Sequence, residues 1–222
     1  MIKLLNHGHV RLVESMGSDL SVVRNARVSY DAEWRSGEDE GKDAKLINYL
    51  VKNGHTSPLE AVQFTFDIKA PIFVLRQWHR HRTWSYNEVS ARYTELPEEF
   101  YVPELDQITT QSASNKQMRT DEQHRDACGV RDVIEYACKT SFEKYQLLLL
   151  HGVPRELARG VLPMNTYSHM FATVDLMNLA KFFKLRLHEH AQYEIRVYAE
   201  AMLALVEPLV PVTAAAIREH WL

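Results

Sequence analysis

The chain has 222 residues, 45% of them hydrophobic and 25% charged, and a formal net charge of −3. That length supports a single domain over residues 1–222, and the mild acidity argues against whole-surface attraction to nucleic acid or anionic membrane, leaving room for a local anion site. No apolar run approaches the ~20 residues that cross a bilayer, and the opening stretch lacks the apolar segment and cleavage site of a signal peptide, which points to the cytoplasm.

Residues 2–16 mix β-branched and polar side chains and predict a strand or hairpin. Ser18 or Asp19 can cap a helix through Val22, Val23 and Ala26. Residues 34–42 read as a loop, after which Asp43 is placed to cap a helix carrying Leu46, Ile47, Leu50 and Val51, stopped near Gly54. Ser57-Pro58 predicts a short helical turn with Ser57 as its cap. Residues 62–69 alternate apolar and polar, the cleanest strand pattern of the chain. Pro71 opens a helix from Ile72 to about Arg80. Residues 96–103 read as extended and 104–120 as a polar surface insertion.

The longest helical pattern runs from about Asp121 to His151, and Pro154 starts a short helix. Residues 165–174 predict a strand. Helices follow over about 176–187 and 190–206, then a final short one beyond Pro208 and Pro211. Strands interrupted by unequal helices imply an α+β fold, with a central antiparallel or mixed sheet flanked by helices.

Against the acidic background, residues 76–92 hold Arg76, Arg80, Arg82 and Arg92 with His79 and His81, and one acid, Glu88. In a helix, Arg76, His79 and Arg80 share a face. Guanidinium groups grip phosphate bidentately and keep their charge at any working pH. Trp78, Trp84 and Tyr86 among them suit a ligand combining phosphate with a flat heterocycle. A basic helix end is also often a solvated cap, but the donors and acceptors that come next (Ser85, Asn87, Glu88, Ser90, Arg92) exceed what a cap requires.

Arg80-His81-Arg82, seven intervening residues, then Ser90 matches the R-H-R-x7-S signature of the flavin-dependent thymidylate synthases. Further segments resemble that family in order: residues 26–29, Gly54-His55-x-Ser57-Pro58-x-Glu60, residues 155–163 with Arg155, Ala158 and Arg159, and Leu185-Arg186 followed by His190-Ala191-Gln192. The resemblance spans roughly residues 10–207.

This resemblance implies reductive methylation of dUMP to dTMP, with 5,10-methylenetetrahydrofolate as carbon donor, FAD as prosthetic group and NADPH as reductant. It also implies a homotetramer with active sites at subunit interfaces. For dUMP it implicates Gln77, Trp78, His79 and Arg80 from one subunit and Glu88, Val89, Ser90, Ala91 and Arg92 from another. Arg159 falls on the phosphate and Arg186, the catalytic candidate, on the uracil edge, where a cation stabilises negative charge developing on the ring. For FAD it implicates Ser57, Arg80, His81, Arg82, Glu88, Asp175, Leu176, Met177 and Lys181, with His55 and His190 in matching motifs. None of the eight glycines forms a dinucleotide-binding cluster, so flavin binding falls to the arginine-rich surface. Cys128 and Cys138 lie apart from the basic motifs, so no cysteine nucleophile is expected. Ser90 has no adjacent base and is assigned to binding.

The chain departs from the family pattern at Ala61, where relatives commonly carry His, at Asp175-Leu176-Met177, given for Asn-x-Arg, and at Lys181, given for Asn. Weaker FAD binding is the consequence expected, with Lys181 or Lys184 replacing the lost charge. Two rival readings are a single-stranded nucleic-acid surface of arginines and aromatics and a metal site using His79/His81 and His188/His190. The net charge opposes the first. The second lacks acid or cysteine ligands at zinc spacing, and His-x-His side chains diverge in a helix; no metal is expected.

Overall fold

The computed structural model describes residues 1–222. The N-terminus is a hairpin of β1 (Ile2–Leu4) and β2 (Gly8–Met16), as the β-branched alternation predicts. Gly8 is required there by a close approach: a side chain would run into the Tyr198 hydroxyl, which donates to the Lys69 carbonyl at 2.6 Å. Helix α1 (Asp19–Arg27) comes next, with the Ser18 N–H bonded to Ser21 Oγ at 3.1 Å. Asp19 serves a different helix: its carboxylate accepts from Val212 N and Thr213 N at 2.8 and 2.9 Å. It thereby caps a helix on the far side of the sequence.

Helix α2 (Glu40–Lys52) starts three residues before the expected Asp43 cap, because Asp39 performs the capping, accepting from Lys42 N at 3.0 Å. Asp43 instead turns inward, where it meets Arg27 at 2.6 Å and accepts from Gly37 N at 2.7 Å. A 3-10 turn spans Ser57–Ala61, with Thr56 and not Ser57 in the cap position. Strand β3 (Gln63–Pro71) and helix α3 (Ile72–Trp78) realise the next two expectations, the helix ending two residues before Arg80.

Strand β4 (Ser85–Glu88) was not evident in the sequence; it is a short, largely polar edge strand that exists because β7 offers it a partner. The polar insertion folds into a two-stranded ribbon, β5 (Thr109–Gln111) with β6 (Arg119–Gln123). Residues 119–123 are therefore strand, and the long helix α4 (Ala127–Leu150) begins six residues after the expected Asp121, where the Asp126 carboxylate accepts from Gly129 N at 3.1 Å. Helix α5 (Arg155–Ala158) and strand β7 (Tyr167–Asp175) match the sequence-based expectation. Helix α6 (Leu176–Arg186), helix α7 (Tyr193–Val206, three residues after the expected His190 start) and helix α8 (Pro211–Trp221) complete the chain.

The main sheet has the order β1-β2-β3-β7-β4 with every pair antiparallel, an α+β arrangement. Period-2 alternation sorts its faces. Val10, Phe64, Phe66, Ile68, Ala70, Met170, Ala172 and Val174 are buried in the main core. Residues of the opposite parity (His9, Arg11, Thr65, Asp67, Lys69, His169, Thr173) pair across β2, β3 and β7 on the other face. A second, smaller cluster of Phe100, Val102, Cys138, Phe142, Tyr145 and Ala158 ties α4 and α5 to the extended segment. No helix is long and apolar enough to cross a membrane.

The largest departure from the sequence-based expectation concerns the tryptophans. Trp78 is fully buried and Trp84 is 6% exposed. Trp78 stacks on Phe182 at 4.9 Å between centroids, and Trp84 lies 5.2 Å from the same ring. Both belong to the core, so neither indole is available to a flat ligand or to bases.

Candidate active site

Packing Trp78 inward turns the polar end of α3 outward. Gln77, His79 and His81 are left partly exposed, and Arg76, Arg80 and Arg82 are exposed. Helix α6, anchored beside them by Phe182, delivers Arg186 from its last turn. Arg186 Nε donates to His81 Nε2 at 3.1 Å, and Nη2 donates to the Gln77 carbonyl at 3.1 Å.

His81 accepts that bond as a neutral imidazole: burial, reinforced by the positive charge of Arg186, depresses its pKa to about 4. The Arg186 pKa is itself lowered by burial, yet a guanidinium stays charged at neutral pH. Both of its partners are neutral, so a half-buried cation is held without a counter-ion.

A second chain of contacts runs from the same turn. Gln77 Nε2 donates to Gln192 Oε1 at 2.5 Å, and Gln192 Nε2 donates to Glu194 Oε2 at 2.8 Å. Glu194, only 2% exposed in the first turn of α7, also accepts from the Tyr101 hydroxyl and from Arg119 Nη1, both at 3.1 Å. Burial, and then this carboxylate, raise the Tyr101 pKa well above the usual phenol value. The insertion ribbon and α7 enclose a cleft of about 550 Å³ lined by Gln111, Arg119, His190, Gln192, Tyr193 and Arg196 among others. Sequence reasoning missed Glu194, Arg119 and Tyr101; an acid in a helix's first turn looks like an ordinary dipole partner until its burial is known.

The remaining candidates form separate groups. Glu88 accepts from Ser168 Oγ at 2.6 Å, and its other oxygen lies 4.0 Å from His79 Nε2. Val89 N–H donates to the His169 carbonyl at 2.8 Å, which extends the edge of the sheet into the Ser90 turn. Ser90 Oγ accepts from Arg92 N at 3.3 Å, and Ala91 is 8% exposed. Arg92 approaches Glu156 at 3.5 Å, bringing this turn against α5 and the 3-10 turn that carries the exposed Arg159. No hydrogen bond or ion pair joins the Arg92–Arg159 group to the Arg186–His81 group.

His55 and Ser57 are exposed, Ser57 in the turn that packs against α6 and His55 edge-on to Tyr49 at 5.7 Å. Asp175 caps α6, accepting from Asn178 N and Nδ2 at 2.8 and 2.6 Å. Leu176 and Met177 are buried at 1% and 8% exposure, so they offer backbone alone to a ligand. Lys181 is exposed, and so is His190, whose ring lies 4.9 Å from that of His188.

The model of the thymidylate synthase complementing protein family matches residues 11–212. The chain belongs to the flavin-dependent thymidylate synthase family. It is 48% identical over 221 residues to the flavin-dependent thymidylate synthase of Ehrlichia ruminantium (strain Gardel), covering 99% of this chain and 73% of the relative. Identity to that of Thermotoga neapolitana is 44% over 213 residues, or 96% and 91% of the two chains. The fold is that of the UMP/dUMP methylase PolB from Streptomyces cacaoi bound with 5-Br dUMP, with a TM-score of 0.90, 38% identity, and coverage of 99% and 98%.

Arg80 and Arg82 have no carboxylate partner, and a flavin nucleotide carries phosphate. The donor set on this side fits such a group. The start of α6 fits less well, since the Asp175 carboxylate occupies the N-terminus that would otherwise attract an anion.

Proposed function

We propose that this chain methylates dUMP at C5 to give dTMP, with carbon from 5,10-methylenetetrahydrofolate and reducing equivalents from NADPH. FAD, when bound, supplies the redox chemistry. The observation that carries this reading is Arg186: a half-buried guanidinium with only neutral hydrogen-bond partners. Such a group costs desolvation unless an anion, or a ring developing negative charge, comes to it.

Each residue then has a physical task. Arg186 faces the O2/N3 edge of uracil and stabilises charge as C5 becomes nucleophilic. Neutral His81 aims Arg186 and, being uncharged, does not compete with it. Arg159 and the Ser90–Arg92 turn, with its backbone N–H groups, hold the nucleotide phosphate. Gln77 and Arg80 fix the base and ribose side, with His79 and Glu88 close by. Arg80, Arg82, Ser57, His55, His190 and Lys181 border FAD.

The Arg92–Arg159 and Arg186–His81 groups are unconnected within one chain, which favours a homotetramer in which two subunits complete each site. A cysteine nucleophile is not required. Burial raises the Cys138 pKa and its sulfur accepts from Asn165 at 2.9 Å, so it is no activated thiolate.

The test is tritium release from C5-labelled dUMP with FAD, NADPH and methylenetetrahydrofolate, omitting each in turn. Release that depends on all of them is expected. Release without flavin, or none with the complete mixture, overturns the proposal.

A further inference from the structure

On the face of the sheet opposite the core, three neighbouring strands each contribute one metal-ligand side chain to a single point. His9 on β2 and His169 on β7 both direct Nε2 at Oδ1 of Asp67 on β3, at 3.1 and 2.5 Å. The three ligand atoms lie within 4.8 Å of one another. The ladder explains this convergence: Lys69 pairs with His9 on one side and His169 on the other, and Asp67 lies two residues earlier on the same face. The methylation proposed above uses none of the three side chains, so this cluster and the active site stand or fall separately.

We propose that His9, Asp67 and His169 form a binding site for one borderline divalent transition-metal ion of the zinc or cobalt class. Metal–ligand bonds of ~2.0–2.2 Å place ligand atoms ~3–3.6 Å apart, so small side-chain rotations open the present cluster to an ion. Two imidazoles and one carboxylate favour such an ion over magnesium or calcium, which take oxygen ligands. On binding, the metal replaces the two imidazole–carboxylate hydrogen bonds, and each neutral ring carries its proton on Nδ1.

The surroundings are those of a supported site. Arg11 holds the other oxygen of the carboxylate, Nε and Nη2 donating to Asp67 Oδ2 at 3.1 and 2.7 Å, which orients Oδ1 toward the two rings. The adjacent cation, Lys69, is paired with Glu99 at 2.5 Å. Arg11 balances Asp67 and Lys69 balances Glu99, so no uncompensated positive charge opposes the ion. Asp67 is 6% exposed while the His169 side chain is 47% exposed, leaving an entry from the β7 side and open positions for water.

The experiment uses the full chain without an affinity tag, stripped with chelator, then titrated with Co2+ by visible absorption and with Zn2+ by calorimetry and competition. One Co2+ per chain, displaced by Zn2+, is expected. His169→Ala, a change at a half-exposed position that leaves the core untouched, should weaken binding by tenfold or more, as should His9→Ala. Arg11→Ala should weaken it by about tenfold through the carboxylate it orients. His190→Ala is the control, because the adjacent rings of His188 and His190 are the other place where imidazoles gather. Absence of uptake, uptake unchanged in His169→Ala, or uptake lost only in His190→Ala overturns the proposal.

Discussion

Two charged side chains near the cleft are held in opposite ways. Glu194 is almost sealed from solvent and fully compensated, with Arg119, Tyr101 and Gln192 all donating to its carboxylate. Arg186 is half-buried and receives only the lone pairs of His81 and Gln77. The first charge is complete within the fold. The second is left wanting an anion. Folding alone rewards compensation of buried charge, so an uncompensated cation marks where a ligand does the compensating. Under the proposed function, the contrast separates the member of the network that builds the site from the member that acts in it.

Substitutions should sharpen that division. Arg186→Ala is expected to lower dTMP formation by about 10²–10³-fold, the range for removing one preorganised charge-stabilising donor, while the thermal midpoint holds. A variant with full turnover in the tritium assay would break the assignment. Glu194→Ala should do the reverse first: the buried Tyr101 hydroxyl and Arg119 lose their shared acceptor, at about 3 kcal/mol. Chemical denaturation measures this, and a loss under about 1 kcal/mol, the net worth of one ordinary hydrogen bond, would mean the network is dispensable.

Acid should act through His81. Its folded pKa of about 4 lies below its ordinary value of 6.5, so as pH falls the unfolded chain takes up the proton first. Stability from the neutral ring is therefore present above about pH 6.5 and is lost progressively as the pH falls to about 4. A tenfold difference in proton affinity between folded and unfolded chains corresponds to about 1.4 kcal/mol, and solvent screening of a half-buried ring reduces the sum to roughly 1–2 kcal/mol. His81→Gln, which keeps a neutral group there, should flatten that part of the stability profile; an unchanged slope would exclude His81 as its source. Tyr101→Phe should cost about 1.5 kcal/mol, the lower end of the range for one hydrogen bond to a charged group. Arg119→Ala should cost more than that, about 2–3 kcal/mol, because it leaves the 2% exposed Glu194 carboxylate without its cation. Denaturant midpoints of the two variants check both values, and the reverse order would break the ranking.

The order and type of the main elements were legible because they rest on short-range rules. Alternation over 62–69 became β3, proline and capping signals placed α3, α5 and α8, and the arginine motifs fell in family order along nearly the whole chain. Local composition also misled. Trp78 and Trp84 lie among arginines in sequence, yet side-chain direction carries the indoles onto Phe182 and the charges outward. Asp19 sits where it could cap α1, but its carboxylate caps α8, and Asp43 serves Arg27 while Asp39 caps α2.

The sequence by itself determined the family, the α+β class, and which arginines are candidates for phosphate. Periodicity and spacing act over a few residues and survive without knowledge of neighbours. Only the tertiary structure decided which charges are neutralised. The burial of Glu194, the isolation of Arg186 and the meeting of His9, Asp67 and His169 each join residues far apart in the chain. Such pairings depend on strand register and helix docking, which no local pattern encodes.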